Sequence, residues 1–156
     1  MNLTSLSLTN FRNYVRLELV LSPGLILIQG ANAQGKTSLL EAIYYLATSK
    51  SPHAGVEREL VNWLAREDAN RFLRVQGHVR HTTPGGTAEQ IDVILAPTNG
   101  STTSYGKRVR INGVVQRAID LVGHLRVVLF LPEDIELVSG APRVRRRYLD
   151  IALCQI

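Results

Sequence analysis

The chain has a single cysteine, Cys154, in 156 residues. It can form no internal disulfide and offers no cysteine pair to a metal, so Cys154 is read as a small buried apolar residue. No run of about 18 apolar residues occurs, and the N-terminus lacks a basic region leading into an apolar stretch and a small-residue cleavage site. No membrane span is expected, and the expected compartment is the cytoplasm. Internal repeats and low-complexity segments are missing. The histidines His53, His78, His81 and His124 fall at no metal-ligand spacing, and there is no nucleophile motif. Asp120-Leu121-Val122-Gly123 fits the D-x-x-G of GTPases, but it follows a helix-like stretch and no N-K-x-D for guanine accompanies it, so it is read as chance.

What is present is an ordinary globular composition. Apolar residues make up 45% and charged residues 20%, too apolar for intrinsic disorder and, at this length, enough for one domain or a piece of one. The net charge of +5 gathers in the second half, at Lys107, Arg108, Arg110 and Arg117 and then at Arg143, Arg145, Arg146 and Arg147. Such clusters suit a polyanionic partner through counterion release, yet proteins that bind only ATP carry them as well.

Alternation of apolar and polar residues from Leu3 to Leu21 predicts an edge hairpin with Asn10-Phe11-Arg12-Asn13 at its turn. Leu25-Ile26-Leu27-Ile28 reads as a strand buried on both faces, and Ser38 to Ala47 as a well-buried helix. Val56, Leu60, Trp63 and Leu64 recur at helical spacing. They predict a second helix in which Trp63 is a core anchor rather than a base-stacking surface. Residues 72–79 and 91–95 read as antiparallel strands around a turn at Pro84-Gly85-Gly86, and Asn112-Gly113 as a type I′ hairpin turn. Leu125 to Leu131 predicts another strand, followed by a short helix with an acidic first turn. Past the break at Gly140-Ala141-Pro142, a last helix carries Val144, Tyr148, Ile151 and Ala152 on one face.

Between the apolar run and the first helix stands Gly30-Ala31-Asn32-Ala33-Gln34-Gly35-Lys36-Thr37, a match to G-x-x-x-x-G-K-[ST]. In this motif the backbone curls so that N–H groups meet phosphate oxygens, the lysine supplies charge to the terminal phosphates, and the threonine hydroxyl ligates magnesium. ATP or GTP with Mg2+ is the expected ligand, with Ser38 at the start of the helix and Thr37 as the metal ligand. Hydrolysis also needs a carboxylate for the metal. The nearest is Glu133 or Asp134 after Val127-Val128-Leu129-Phe130-Leu131, an imperfect match because Pro132 intervenes. A complete small nucleotide kinase or ATPase using Glu133 or Asp134 is the alternative.

Three segments, Leu8-Thr9-Asn10-Phe11-Arg12-Asn13-Tyr14, Gly30 to Tyr44, and Phe130-Leu131-Pro132-Glu133-Asp134 through Gly140-Ala141-Pro142 to Arg145-Arg146-Arg147-Tyr148-Leu149-Asp150, resemble the RecF family of bacterial DNA replication and repair proteins. The resemblance implies an α/β P-loop NTPase of the ABC/SMC head type, with a mixed sheet including antiparallel strands, incomplete in this chain. Residues 1–131 would be the N-terminal ATPase lobe and 132–156 the start of a helical second lobe, truncated. It further implies an ATP-dependent clamp that binds single- and double-stranded DNA at gaps, dimerises around ATP, and helps load the recombinase with RecO and RecR. The full-length protein is then expected to be a slow, DNA-stimulated ATPase, and these 156 residues alone to be inactive, because the acids and signature motif lie beyond them. Arg12 becomes a candidate phosphate contact. The family usually has glycine where Ala33 stands; an alanine is tolerable if φ is negative there.

Overall fold

The computed structural model describes residues 1–67, 71–82, 86–98 and 104–153. Its framework is a six-stranded sheet of β1 (Asn2–Phe11), β2 (Tyr14–Val20), β3 (Leu73–Arg80), β4 (Ala88–Pro97), β5 (Tyr105–Ile111) and β6 (Val114–Gln116), in the order β2-β1-β3-β4-β5-β6. All five ladders are antiparallel. The expected N-terminal hairpin forms with Leu6 opposite Leu19 and Leu8 opposite Leu17; β2 is the edge, while β1 also pairs with β3. Asn112 and Gly113 both take positive φ, 51° and 81°, as the type I′ turn requires. The Pro84-Gly85 part of the other expected turn, and Cys154, lie outside the described residues.

Period-two alternation turns Leu6, Leu8, Leu73, Val75, Ile91, Val93 and Val109 to one face, where α1 (Lys36–Thr48) covers them with Leu39, Ala42, Tyr45 and Leu46. Gly77 lets that helix come close. A Cβ there would collide with Leu46 Cδ2 and stand 2.9 Å from Leu3 Cδ1. Tyr45 is fully buried; burial first, then the Glu57 carboxylate, push its phenol far above the ordinary range. Lys107 Nζ sits 5.4 Å from the centre of its ring and pairs with Glu57.

Three expectations need correction. Residues 56–64 do not form one helix: a 3₁₀ turn, Glu57–Leu60, is separated by Val61-Asn62 from α2 (Trp63–Glu67). The break arises because Val61 leaves helical geometry to bridge Phe11, and Asn62 N–H donates to Asn10 O at 2.8 Å. Trp63 is accordingly no core anchor; it is 65% exposed. Neither Leu25–Ile28 nor Leu125–Leu131 is a strand. Leu25 and Leu27 are open to solvent, and in the second run Leu125 and Leu131 turn inward while Val128 and Phe130 turn out. That run keeps the alternation of a strand without a ladder, since no described strand lies beside it to supply one.

After a 3₁₀ turn at Pro132–Ile135 and α3 (Glu136–Ser139), α4 spans Pro142–Leu153 with proline at its first position, where a missing N–H is harmless. Val144, Tyr148, Ile151 and Ala152 form its half-buried face, with Arg143, Arg145 and Arg146 exposed.

Candidate functional site

The loop from Gly30 to Thr37 is shaped by two left-handed residues. Gly35 has φ 98°, and a Cβ added there would come within 2.5 Å of the Asn13 side chain and 2.9 Å of the Tyr14 hydroxyl. Only glycine fits. The other is Ala33, at φ 64°, so the negative φ that would have made alanine comfortable is not what the loop adopts. Gly30, by contrast, has no left-handed φ, and a Cβ there would meet nothing within 4 Å.

Helix α1 begins at Lys36 with Gly35 as its N-cap. No side chain caps it and its first turn holds no acid. Its leading N–H groups and the positive end of its dipole thus face the loop with no side-chain cap and no first-turn acid to neutralise them. The Lys36 ammonium curls back over the loop and donates to the carbonyls of Gly30 at 2.8 Å and Ala31 at 2.7 Å. Charge and donors converge on one spot.

That spot opens into a cavity of about 650 Å³. Asn32, Ala33, Gly35, Lys36, Thr37 and Ser38 line it, as does Arg12; Gly30, Ala31 and Gln34 do not, the first two serving instead as acceptors for Lys36. The far wall is made by Glu59, Val61, Trp63 and Arg66, with Asn13 beside Arg12. Those wall residues escaped sequence reasoning because Trp63 and its neighbours carry an apolar helical period that points to a core.

Arg12 occupies a left-handed turn position, φ 53°. Its Nε and terminal nitrogen form a bidentate pair with the buried Glu41 carboxylate of α1, at 2.8 and 2.7 Å, and it also donates to Glu59 O at 3.2 Å. Ser51 Oγ donates to the same carboxylate. The arginine therefore reaches the cavity wall already tied to the second turn of α1, which fixes the β1–β2 turn against the loop.

The other sequence candidates fall elsewhere. Asp134 accepts the Leu131 N–H at 2.7 Å and Glu133 is exposed; neither lines the cavity, so the alternative in which they hold the metal of this loop finds no support in the geometry. Asp120 pairs with Arg117 and caps the 3₁₀ turn Ala118–Leu121. His81 and His124 both approach Glu89 Oε2, at 3.4 and 2.8 Å. Among the described residues, no group of three or more His, Cys, Asp and Glu side chains could hold a metal ion, and no helix is long and apolar enough to cross a membrane.

A family model described as an AAA domain matches residues 5–125. The chain belongs to the AAA-domain family. Its similarity is to the curated DNA replication and repair proteins RecF: 49% identity with that of Roseiflexus castenholzii, 46% with that of Herpetosiphon aurantiacus and 38% with that of Halalkalibacterium halodurans, in each case over 100% of this chain. The chain spans 41%, 42% and 38% of those relatives. A solved structure of the recombination mediator protein RecF-ATP in the RecFOR pathway superposes with a TM-score of 0.82 at 33% identity, covering 99% of this chain and 39% of that one. The RecF-ATPrS structure gives 0.83 at 32% identity, covering 99% and 38%. The RecF resemblance carried by the three motifs is borne out, and so is the α/β P-loop fold class. Within this RecF-type AAA domain, the antiparallel sheet is the frame that sets the β1–β2 turn beside the phosphate loop.

Proposed function

We propose that this chain carries the ATP-binding face of a RecF-type DNA replication and repair protein. One observation supports this above others: the N-terminus of α1 has no side-chain cap and no acid in its first turn, and it opens with Lys36 and Thr37 onto a cavity that the loop itself lines. A triphosphate is the ligand that such an array suits, because its oxygens take backbone donors, helix dipole and ammonium together. The RecF-ATP relative favours ATP as that nucleotide. Thr37 would supply a hydroxyl oxygen to Mg2+, the kind of ligand that a hard, small cation prefers.

In the full-length protein we assign residues 1–131 to the ATPase lobe and 132–156 to the start of a second, helical lobe. Arg12, held by Glu41 at the cavity wall, is a contact for the terminal phosphates, one it makes by trading part of its pairing. The whole protein binds single- and double-stranded DNA at gaps, dimerises with ATP, works with RecO and RecR in loading recombinase, and acts in the cytoplasm. The exposed arginines of α4 suit the polyanion.

Lys36→Ala in the full-length protein is the test. ATP affinity is expected to fall roughly tenfold or more as charge-assisted hydrogen bonds are lost, and a slow, DNA-stimulated turnover to disappear. Turnover indifferent to DNA, or ATP binding indifferent to Lys36, overturns the assignment.

A further inference from the structure

We propose that Trp63 is the platform on which the base of the bound nucleotide stacks, an inference that rests on the phosphate-site assignment above. Trp63 is the only tryptophan of the chain. It stands 65% exposed on a short anchored stretch: Val61 and Asn62 before it are 1% and 2% exposed, and Ala65, past the half-exposed Leu64, is 6% exposed. The segment is anchored, and the indole is turned out of it. Though open to solvent, it lines the same cavity as Lys36 and Thr37.

The anchoring is specific. Buried Asn62 donates from its backbone to Asn10 O at 2.8 Å and from Nδ2 to Arg12 O at 2.7 Å, while its Oδ1 accepts the Leu64 N–H at 3.0 Å and so caps α2. Arg12 N–H in turn donates to Leu60 O at 2.7 Å. The backbone that carries the indole is thereby bound to the turn that Glu41 binds to α1. Phosphate end and aromatic end belong to one frame. On the aromatic side, Arg66 is held by the carbonyls of Val61 and Glu59, at 3.0 and 3.2 Å.

The two ends differ in the way a nucleotide differs along its length. Lys36 and the helix N-terminus serve anionic oxygens; Val61 and Trp63 offer an apolar and aromatic wall, where Arg66 is engaged by the carbonyls of Val61 and Glu59. A purine has a π-face to lay on an indole, and stacking of this sort tolerates any base. Trp63 therefore adds affinity for a nucleoside triphosphate over bare triphosphate and discriminates little between ATP and GTP.

The test compares ATP with inorganic tripolyphosphate, by calorimetric titration of the full-length protein and its Trp63→Ala and Trp63→Phe variants. Trp63→Ala is expected to weaken ATP roughly five- to hundredfold, the range that base–aromatic stacking gives, and to leave tripolyphosphate affinity unchanged. Trp63→Phe keeps ATP affinity within about threefold of the parent, since a phenyl ring still stacks. Unchanged ATP affinity in Trp63→Ala overturns the proposal, whether or not DNA affinity falls, and so does an equal loss for both ligands. Should ATP binding be indifferent to Lys36→Ala, the phosphate site is elsewhere and the stacking platform falls with it.

Discussion

Ala33 holds an L-residue in a left-handed turn at φ 64°, which costs roughly 1–2 kcal/mol relative to a relaxed backbone. Glycine would remove that strain but lose about 0.5–1 kcal/mol through its freer unfolded chain. Strain relief outweighs that loss, so Ala33→Gly is expected to leave thermal stability unchanged or raise it by up to about 1 kcal/mol, whereas a loss of about 1 kcal/mol in the melting analysis would contradict the strain. Tyr45 poses the opposite case: its hydroxyl is buried and, among the described residues, has no hydrogen-bond partner. Tyr45→Phe keeps the ring under Lys107 and deletes an unsatisfied group, so unfolding free energy should hold or rise by about 1 kcal/mol. Lys36 and Thr37 were legible in the sequence because a fixed spacing encodes where a loop delivers them. The left-handed Ala33 was not, because nothing in the letters around an alanine reports its φ. Trp63 misled for a related reason: its apolar period is real, but Val61 and Asn62 leave the helix to pair with the β1–β2 turn, and the phase of everything after them shifts.

The elements differ in how they hold together, and pH separates them. Glu89 on β4 is hydrogen-bonded to His124, on the segment that follows β6, at 2.8 Å, and His81, just past β3, approaches the same oxygen at 3.4 Å. The His124 bond above all, with the His81 ring close by, keeps the Glu89 carboxyl below its ordinary 4.5, against the upward pull of burial. A carboxyl whose folded value is depressed adds stability above its unfolded value and loses it as pH falls through the folded one. The melting temperature should therefore drop on acidification below about pH 4.5, and Glu89→Gln should flatten that limb while lowering stability at neutral pH. An acid limb of the same depth in both proteins would falsify the clasp. The antiparallel hairpins were legible because each turn and each alternation is local. The apolar runs at 25–28 and 125–131 were not: a strand needs a neighbour, and the period of two at Leu125, Val127, Leu129 and Leu131 reports an extended chain without saying what lies alongside.

At the scale of the whole molecule, the exposed side chains of Leu25, Leu27, Val128 and Phe130 are the feature hardest to reconcile with water. Exposed apolar patches of this kind mark surfaces that other structure covers. A protein made of these 156 residues is expected to bind a hydrophobic dye such as ANS in native buffer. Replacing Leu27 and Phe130 by lysine should cut that fluorescence severalfold without changing the far-ultraviolet circular dichroism of the sheet; a dye-silent parent would show the runs already covered. The topology adds a matter of timing. Four of the five ladders join strands consecutive in sequence, and the fifth, β1 to β3, spans α1. The described sheet is complete in sequence by Gln116; its ladders between consecutive strands are local and close quickly, whereas β1 must wait for β3, which pairs Asn2 with Arg80. Leu25 and Leu27 take no part in it and stay open to solvent once it has formed. The folded sheet thus carries a sticky flank, the kind of surface that a chaperone guards.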